Sequence, residues 1–215
     1  MRTRARGKEQ KGKKTKDKPC KVYIFTEGST EEIYLKHYEN KKKGIEIVPV
    51  DPKHTDALGI VKAAKDYMNR HDIDVELGDK CYCVFDSDPQ SNPNISEAFD
   101  LIRGYSHKGL ACIFSNPSFE IWFILHYGKA PYGKNAIEVK RIVKELVKDT
   151  EPDYKETTDI FPILIDKQEK ALNEALLLHK SQEKVYDNVL SHECNPYTNI
   201  FEFIIYIRDI KKDVK

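Results

Sequence analysis

Glu27, Asp86 and Asp88 are the residues of this chain whose type and spacing are best suited to chemistry. Glu27 ends the run Val22-Tyr23-Ile24-Phe25-Thr26 and is followed by Gly28, Ser29, Thr30 and Glu31. Asp86 and Asp88 end Cys81-Tyr82-Cys83-Val84-Phe85 and precede Pro89. Each run is β-branched and aromatic and stops abruptly in acid, Gly, Ser or Pro, as a buried parallel strand does where it opens onto a loop. In an open parallel sheet the C-terminal strand ends share one edge, and ligands bind there. Carboxylates gathered at such an edge repel one another unless a cation or shared protons neutralise them. Hard oxygen donors suit Mg²⁺ or Mn²⁺, so the pattern reads as a metal-dependent phosphoryl-transfer site. Asp86 and Asp88, two apart on an extended chain, point the same way and would contact metal directly. Glu27 would hold a second ion or act as general base through water. Gly28 and the amides after it could meet a phosphate at a helix N-terminus. The plainer alternative is that Glu27 begins a capped helix and Asp86-Ser87-Asp88-Pro89 forms a turn.

The elements that would position these acids alternate strand and helix. Lys21–Phe25 is the first strand, and Ser29 or Thr30 caps a helix with acidic Glu31 and Glu32 in its first turn and Ile33, Tyr34, Leu35 and Tyr38 facing inward. Gly44 leads into a second strand over 45–50, and Thr55 or Asp56 caps a second helix reaching about Asn69. Cys81–Phe85 is the third strand, a short helix follows Ser96, and Gly109 precedes a fourth strand, Leu110–Phe114. This order predicts an α/β fold with βαβ units and a largely parallel central sheet flanked by helices. Beyond Ser115 the pattern turns helical. Asn116-Pro117 opens a helix buried through Phe119, Ile121, Trp122, Ile124 and Leu125, with further helices over 136–147, 166–178 and 200–210. Asn195 and Pro196 read as a cap on the last helix. The expected division is a disordered basic tail (1–20), an α/β core (21–115) and a helical extension packed on it (116–215).

Charge separates the tail from the body. The chain carries 36 Lys and Arg against 35 Asp and Glu, a net charge of +1. Residues 1–21 hold ten basic side chains against Glu9 and Asp17, or +8, which leaves −7 on the rest. Such a tail either binds nucleic acid without reading its sequence or serves as a solubilising arm. No stretch is long and apolar enough for a membrane span, and no apolar signal core follows the basic start; a cytoplasmic protein without membrane contact is expected. The cysteines, Cys20, Cys81, Cys83, Cys112 and Cys194, lack zinc-site spacing and read as free buried thiols.

Several strings resemble one family. Glu27-Gly28-Ser29-Thr30-Glu31, Asp86-Ser87-Asp88 and above all Ser115-Asn116-Pro117-Ser118-Phe119-Glu120-Ile121-Trp122-Phe123-Ile124-Leu125-His126-Tyr127 look like the RloB-like family. Asn195-Pro196-Tyr197-Thr198-Asn199-Ile200 is similar to its C-terminal element, and Tyr154-Lys155 with Asp159-Ile160-Phe161 to a weaker one. The resemblance spans roughly 20–210. It implies a Toprim-like fold in which Glu27, Asp86 and Asp88 bind Mg²⁺ or Mn²⁺. It also implies association with restriction and abortive-infection loci of bacteria and archaea, often beside an ATPase gene. The expected function is a metal-dependent nuclease acting on DNA or RNA in anti-phage defence. The alternative is a non-catalytic subunit that binds nucleic acid or the ATPase, and nucleotidyl chemistry at the same centre is a third option.

Other residues are more open. Glu120 could extend the acidic edge or pair with a basic helix. His126 could be an acid/base or phosphate contact, although a histidine ending an amphipathic helix is more often structural. Lys155, the basic stretch Lys134, Lys140, Arg141 and Lys144, and the tail are candidates for nucleic-acid backbone contact, or simply solvated charge. No lysine or arginine closely follows Asp86-Ser87-Asp88, where a cation would help a phosphoryl transition state.

Overall fold

The computed structural model describes residues 20–40, 45–49, 56–88, 92–128 and 130–210. The basic tail, Gly44, Val50, Thr55 and Pro89 lie outside them. The elements run β1 (Cys20–Thr26), α1 (Ser29–Lys36), β2 (Ile45–Pro49), α2 (Ala57–Arg70), β3 (Lys80–Asp86), α3 (Ile95–Tyr105), β4 (Leu110–Asn116), α4 (Glu120–Leu125), α5 (Ala136–Val147), α6 (Phe161–Leu164), α7 (Gln168–Gln182), β5 (Tyr197–Thr198) and α8 (Ile200–Ile210). The sheet order is β2-β1-β3-β4-β5. The first four strands pair in parallel and the short β5 pairs antiparallel to β4. This is the expected α/β architecture with a helical C-terminal half; β5 is an addition that two residues could not announce by periodicity.

Strand alternation sorts the core into two layers. Tyr23, Phe25, Cys81, Cys83, Phe85, Cys112 and Phe114 face α2 and α3. Val22, Ile24, Tyr82, Val84 and Ile113 face the opposite way, toward α1, α4, α7 and α8. All five cysteines are buried and free. Because β1 lies between β2 and β3, the chain winds outward in both directions from the β1–β3 pair, and that reversal opens a crevice at the C-terminal strand ends.

Three local expectations need correction. The N-cap of α1 is Gly28, which makes no side-chain cap bond; Thr30 Oγ donates instead to the Glu156 carbonyl at 2.9 Å. Pro117 does not open α4: Asn116 still belongs to β4, the Asn116–Pro117 peptide is cis, and the helix starts at Glu120. Asn195 and Pro196 do not cap α8, which begins at Ile200 beyond β5. Asn195 Nδ2 donates to the Lys134 carbonyl and the Pro196 carbonyl accepts from Gln182, so both join the C-terminal loop to other elements. Asp56 does cap α2, accepting from the Gly59 amide at 3.0 Å.

Candidate acidic site at the sheet edge

The β1 and β3 ends bring Glu27 and Asp86 side by side. The Glu27 amide donates to the Val84 carbonyl at 3.2 Å, continuing the parallel ladder one residue past β1. The Asp86 amide points at Glu27 Oε2 across a long 3.5 Å contact. Asn92 braces the same turn. Its Nδ2 donates to the Asp86 carbonyl at 2.9 Å, and its Oδ1 accepts the Ala57 amide at the start of α2. Burial pushes the Glu27 carboxyl above its ordinary range, opposed by these amide contacts and reinforced by Asp88 and Asp56.

Asp86 follows Tyr82 and Val84 in the strand's alternation, so it lies on the layer that carries α1 and α4. There it meets two more acids. Glu31 is 5% exposed and Glu120 3% exposed. Burial, then the charges of Glu31, Glu120 and Glu27, raise the Asp86 carboxyl well above its usual value, with Lys140 acting in the other direction. Burial, with Glu120 and Glu27, also lifts Glu31 to about 7. Glu31 Oε2 has no hydrogen-bond partner. Gly28 lets that oxygen pack against the backbone: a Cβ there would sit 3.0 Å from it, a tight contact.

The structure therefore groups Glu27 and Asp86 with Glu120, and adds Glu31. Sequence reasoning treats Glu31 as a dipole-favoured acid of the first turn. Its signal is nonetheless visible: with Tyr34 and Leu35 it forms an i, i+3, i+4 stripe, and all three are buried. Lys140, which sequence offers only as a nucleic-acid backbone contact, belongs to α5, and α5 packs against α4. Lys140 pairs with Glu156 at 2.9 Å. Burial alone would lower its pKa, but Glu156, Glu120 and Asp86 together raise it. The cation absent from the sequence after Asp86-Ser87-Asp88 thus arrives from a distant helix.

Asp88 lies beyond the end of β3 and lines a different opening. With Ser87, Asn116, Lys134, Asn135 and His192 it borders a cavity of about 670 Å³. Ser87 Oγ is 2.8 Å from His192 Nδ1. Asn116 Nδ2 holds the loop that carries His192 through the carbonyls of Ser191, His192 and Cys194. Asp88 still acts on Glu27 electrostatically. His126 is fully buried, its Nδ1 2.8 Å from the Trp122 carbonyl and its ring against Trp122. Burial drives its pKa down to about 4, and the charge of Lys167 acts on it in the same direction. Lys155 lies with Lys140, Arg141 and Lys144 around a cavity of about 520 Å³.

Among the described residues, no group of three or more His, Cys, Asp or Glu side chains is arranged as a finished metal site. The donors nevertheless suit a hard divalent ion: they are carboxylates, one buried oxygen is unpartnered, and their pKa values are raised as expected where protons stand in for a missing positive charge. No helix among the described residues is long and apolar enough to cross a membrane.

A family model described as RloB-like protein matches residues 22–207. No curated protein and no solved structure matches the chain.

Proposed function

The chain belongs to the RloB-like family, and on that premise we propose that it is a metal-dependent nuclease, hydrolysing DNA or RNA phosphodiesters as a cytoplasmic effector of anti-phage defence. The observation that carries this reading is the convergence of Glu27, Glu31, Asp86 and Glu120 at the β1–β3 edge, where burial and mutual repulsion raise the pKa of Glu27, Glu31 and Asp86. Glu31 and Glu120 are buried and Glu27 and Asp86 half-buried, and acids gathered this way cost free energy unless neutralised.

Bound Mg²⁺ or Mn²⁺ would neutralise charge on the phosphoryl oxygens and lower the pKa of water. Glu27 and Asp86, with Glu31 and Glu120 around them, would hold it, and Asp88 would join from the loop. Glu31, whose carboxyl burial and the neighbouring acids hold above its usual range without metal, would give up its proton as the ion binds. Lys140 would offset negative charge that develops beside Asp86 and Glu120.

The test is cleavage of DNA and RNA panels with Mg²⁺ or Mn²⁺, alone and with any ATPase encoded beside the gene, in wild type and in Asp86→Asn and Glu27→Gln. Turnover should depend on the metal and fall by about 10²–10³-fold or more in either variant. Metal-dependent turnover that survives both substitutions would end this reading. A second reading, a non-catalytic subunit that binds nucleic acid or the ATPase, is favoured by one observation: no finished three-ligand site stands among the described residues. It expects Asp86→Asn to leave the defence phenotype intact.

A further inference from the structure

The cavity between α5 and the 154–157 loop is built unlike an ordinary charged surface. Lys140, Arg141, Lys144 and Lys155 line it with Tyr154, Glu156 and Thr157, four cations against one carboxylate in about 520 Å³. Tyr154 is only 7% exposed, and its hydroxyl has no hydrogen-bond partner. A buried hydroxyl without a partner costs folding free energy unless something supplies one. The loop is fixed in place: Thr30 Oγ donates to the Glu156 carbonyl at 2.9 Å, one residue before Glu31, and the Lys155 amide donates to Thr158 Oγ at 2.8 Å. The cavity also adjoins the acidic site, because Glu120 acts on both Tyr154 and Lys140. Glu156 Oε1, 2.9 Å from Lys140 Nζ, holds the place an anionic oxygen would take.

We propose that this cavity is a subsite for the phosphate next to the reacting one in a polynucleotide. Arg141, Lys144 and Lys155 neutralise that phosphate, the Tyr154 hydroxyl donates to it, and Glu156 gives way as it enters. The substrate is then a chain of phosphodiesters rather than a single nucleotide. This rests on reading the acidic edge as the cleavage site, yet it can be tested without cleavage.

A short labelled single-stranded oligonucleotide is titrated into the full chain in EDTA, and anisotropy is followed at several salt concentrations. Arg141→Glu and Lys144→Glu should each weaken binding at least about fivefold and flatten the log–log salt dependence by about 0.7 for every phosphate no longer neutralised. Lys184→Glu, an equal charge reversal just past α7, should change neither. Tyr154→Phe should cost about two- to tenfold, the weight of one hydrogen bond. Glu156→Gln should tighten binding by roughly two- to fivefold, the weight of an exposed ion pair. The assignment falls if Arg141→Glu and Lys144→Glu weaken binding no more than Lys184→Glu, or if Glu156→Gln does not tighten it. It also falls if a free nucleoside monophosphate binds as tightly as the oligonucleotide. Loss of metal-dependent cleavage with these binding effects intact would sink the nuclease reading and leave the subsite standing.

Discussion

The two faces of the sheet are finished to different standards. On the α2–α3 side, Tyr23, Phe25, Cys83, Phe85 and Phe114 meet Ile60, Val61, Ala64, Ala98 and Phe99 in an apolar layer. On the other side the layer is equally apolar at depth, with Val22, Ile24, Tyr34, Leu35 and Trp122. Toward the strand ends, however, it gives way to buried acids. Among the described residues, the unpartnered buried polar atoms Glu31 Oε2, Ser118 Oγ, Trp122 Nε1, His126 Nε2 and Tyr154 Oη belong to α1, α4 and the segments around them, Asn195 Oδ1 lies in the loop before β5, and none belongs to α2 or α3. A face built only for stability satisfies its polar groups. The α1–α4 face carries unsatisfied ones beside a carboxylate cluster, which is where a ligand would complete the structure.

If that contrast is functional, substitutions on the two sides should separate activity from stability. The largest effect should come from Asp86→Asn: loss of about 10²–10³-fold or more in turnover, roughly 3–4 kcal/mol of transition-state stabilisation. Thermal stability should hold or rise, because a buried charge is removed. On the opposite face, Phe99→Ala should cost about 3–5 kcal/mol of folding stability through the cavity it leaves. Activity per folded molecule should stay unchanged in that variant. Melting curves paired with active-site titration would check both, and a Phe99→Ala protein that folds well but is inactive would erase the contrast.

The acidic cluster itself makes a smaller, pH-dependent prediction. Glu31 titrates near 4.5 ordinarily and near 7 in the fold. Between those values the folded state keeps a proton that the unfolded chain has shed, so stability falls as pH rises through the interval. The contribution is whole below about 4.5 and gone above about 7. In EDTA, wild type should therefore melt lower at pH 7.5 than at pH 5. Glu31→Gln should remove much of that difference and stabilise by on the order of 2 kcal/mol at the higher pH, a rise of roughly 5 °C. Saturating Mn²⁺ should raise the wild-type melting point at pH 7.5 more than that of Glu31→Gln, since ion and proton compete for the same oxygens. Equal pH profiles for the two proteins would show that the Glu31 carboxyl is not the proton carrier.

The sheet was legible because its strands are apolar runs ended by acids, and period and punctuation are local signals. Glu27 and Asp86 could be paired from sequence for the same reason: both end strands that share one edge. Glu31 was legible in principle, through its stripe with Tyr34 and Leu35, but an acid in a first turn has an ordinary explanation that hid the buried one. Lys140 was not legible. Nothing local to α5 says that it packs on α4 beneath the acids, and a charged helix face reads the same whether it meets solvent or a carboxylate. The division between Asp86, turned toward the acids, and Asp88, bordering the His192 cavity, depends on where β3 ends, and boundaries are the weakest part of any pattern reading.

The smallest effect tests whether α5 serves the acidic side by position alone. Asn135 caps this helix: its Oδ1 accepts the Glu138 amide at 3.0 Å, and Glu138 Oε2 accepts the Asn135 amide at 3.1 Å. Asn135→Ala breaks the side-chain half of this capping box and should cost about 1 kcal/mol, or roughly 2–4 °C. The side chain of Asn135 bonds to Glu138 rather than to Glu120 or Asp86, so a loss of turnover is expected to pass through the placement of Lys140. Asn135→Ser, which keeps a capping oxygen, should restore both melting point and turnover. Rescue of melting point without turnover would locate a direct role for Asn135 in the neighbouring cavity that it lines with Asp88.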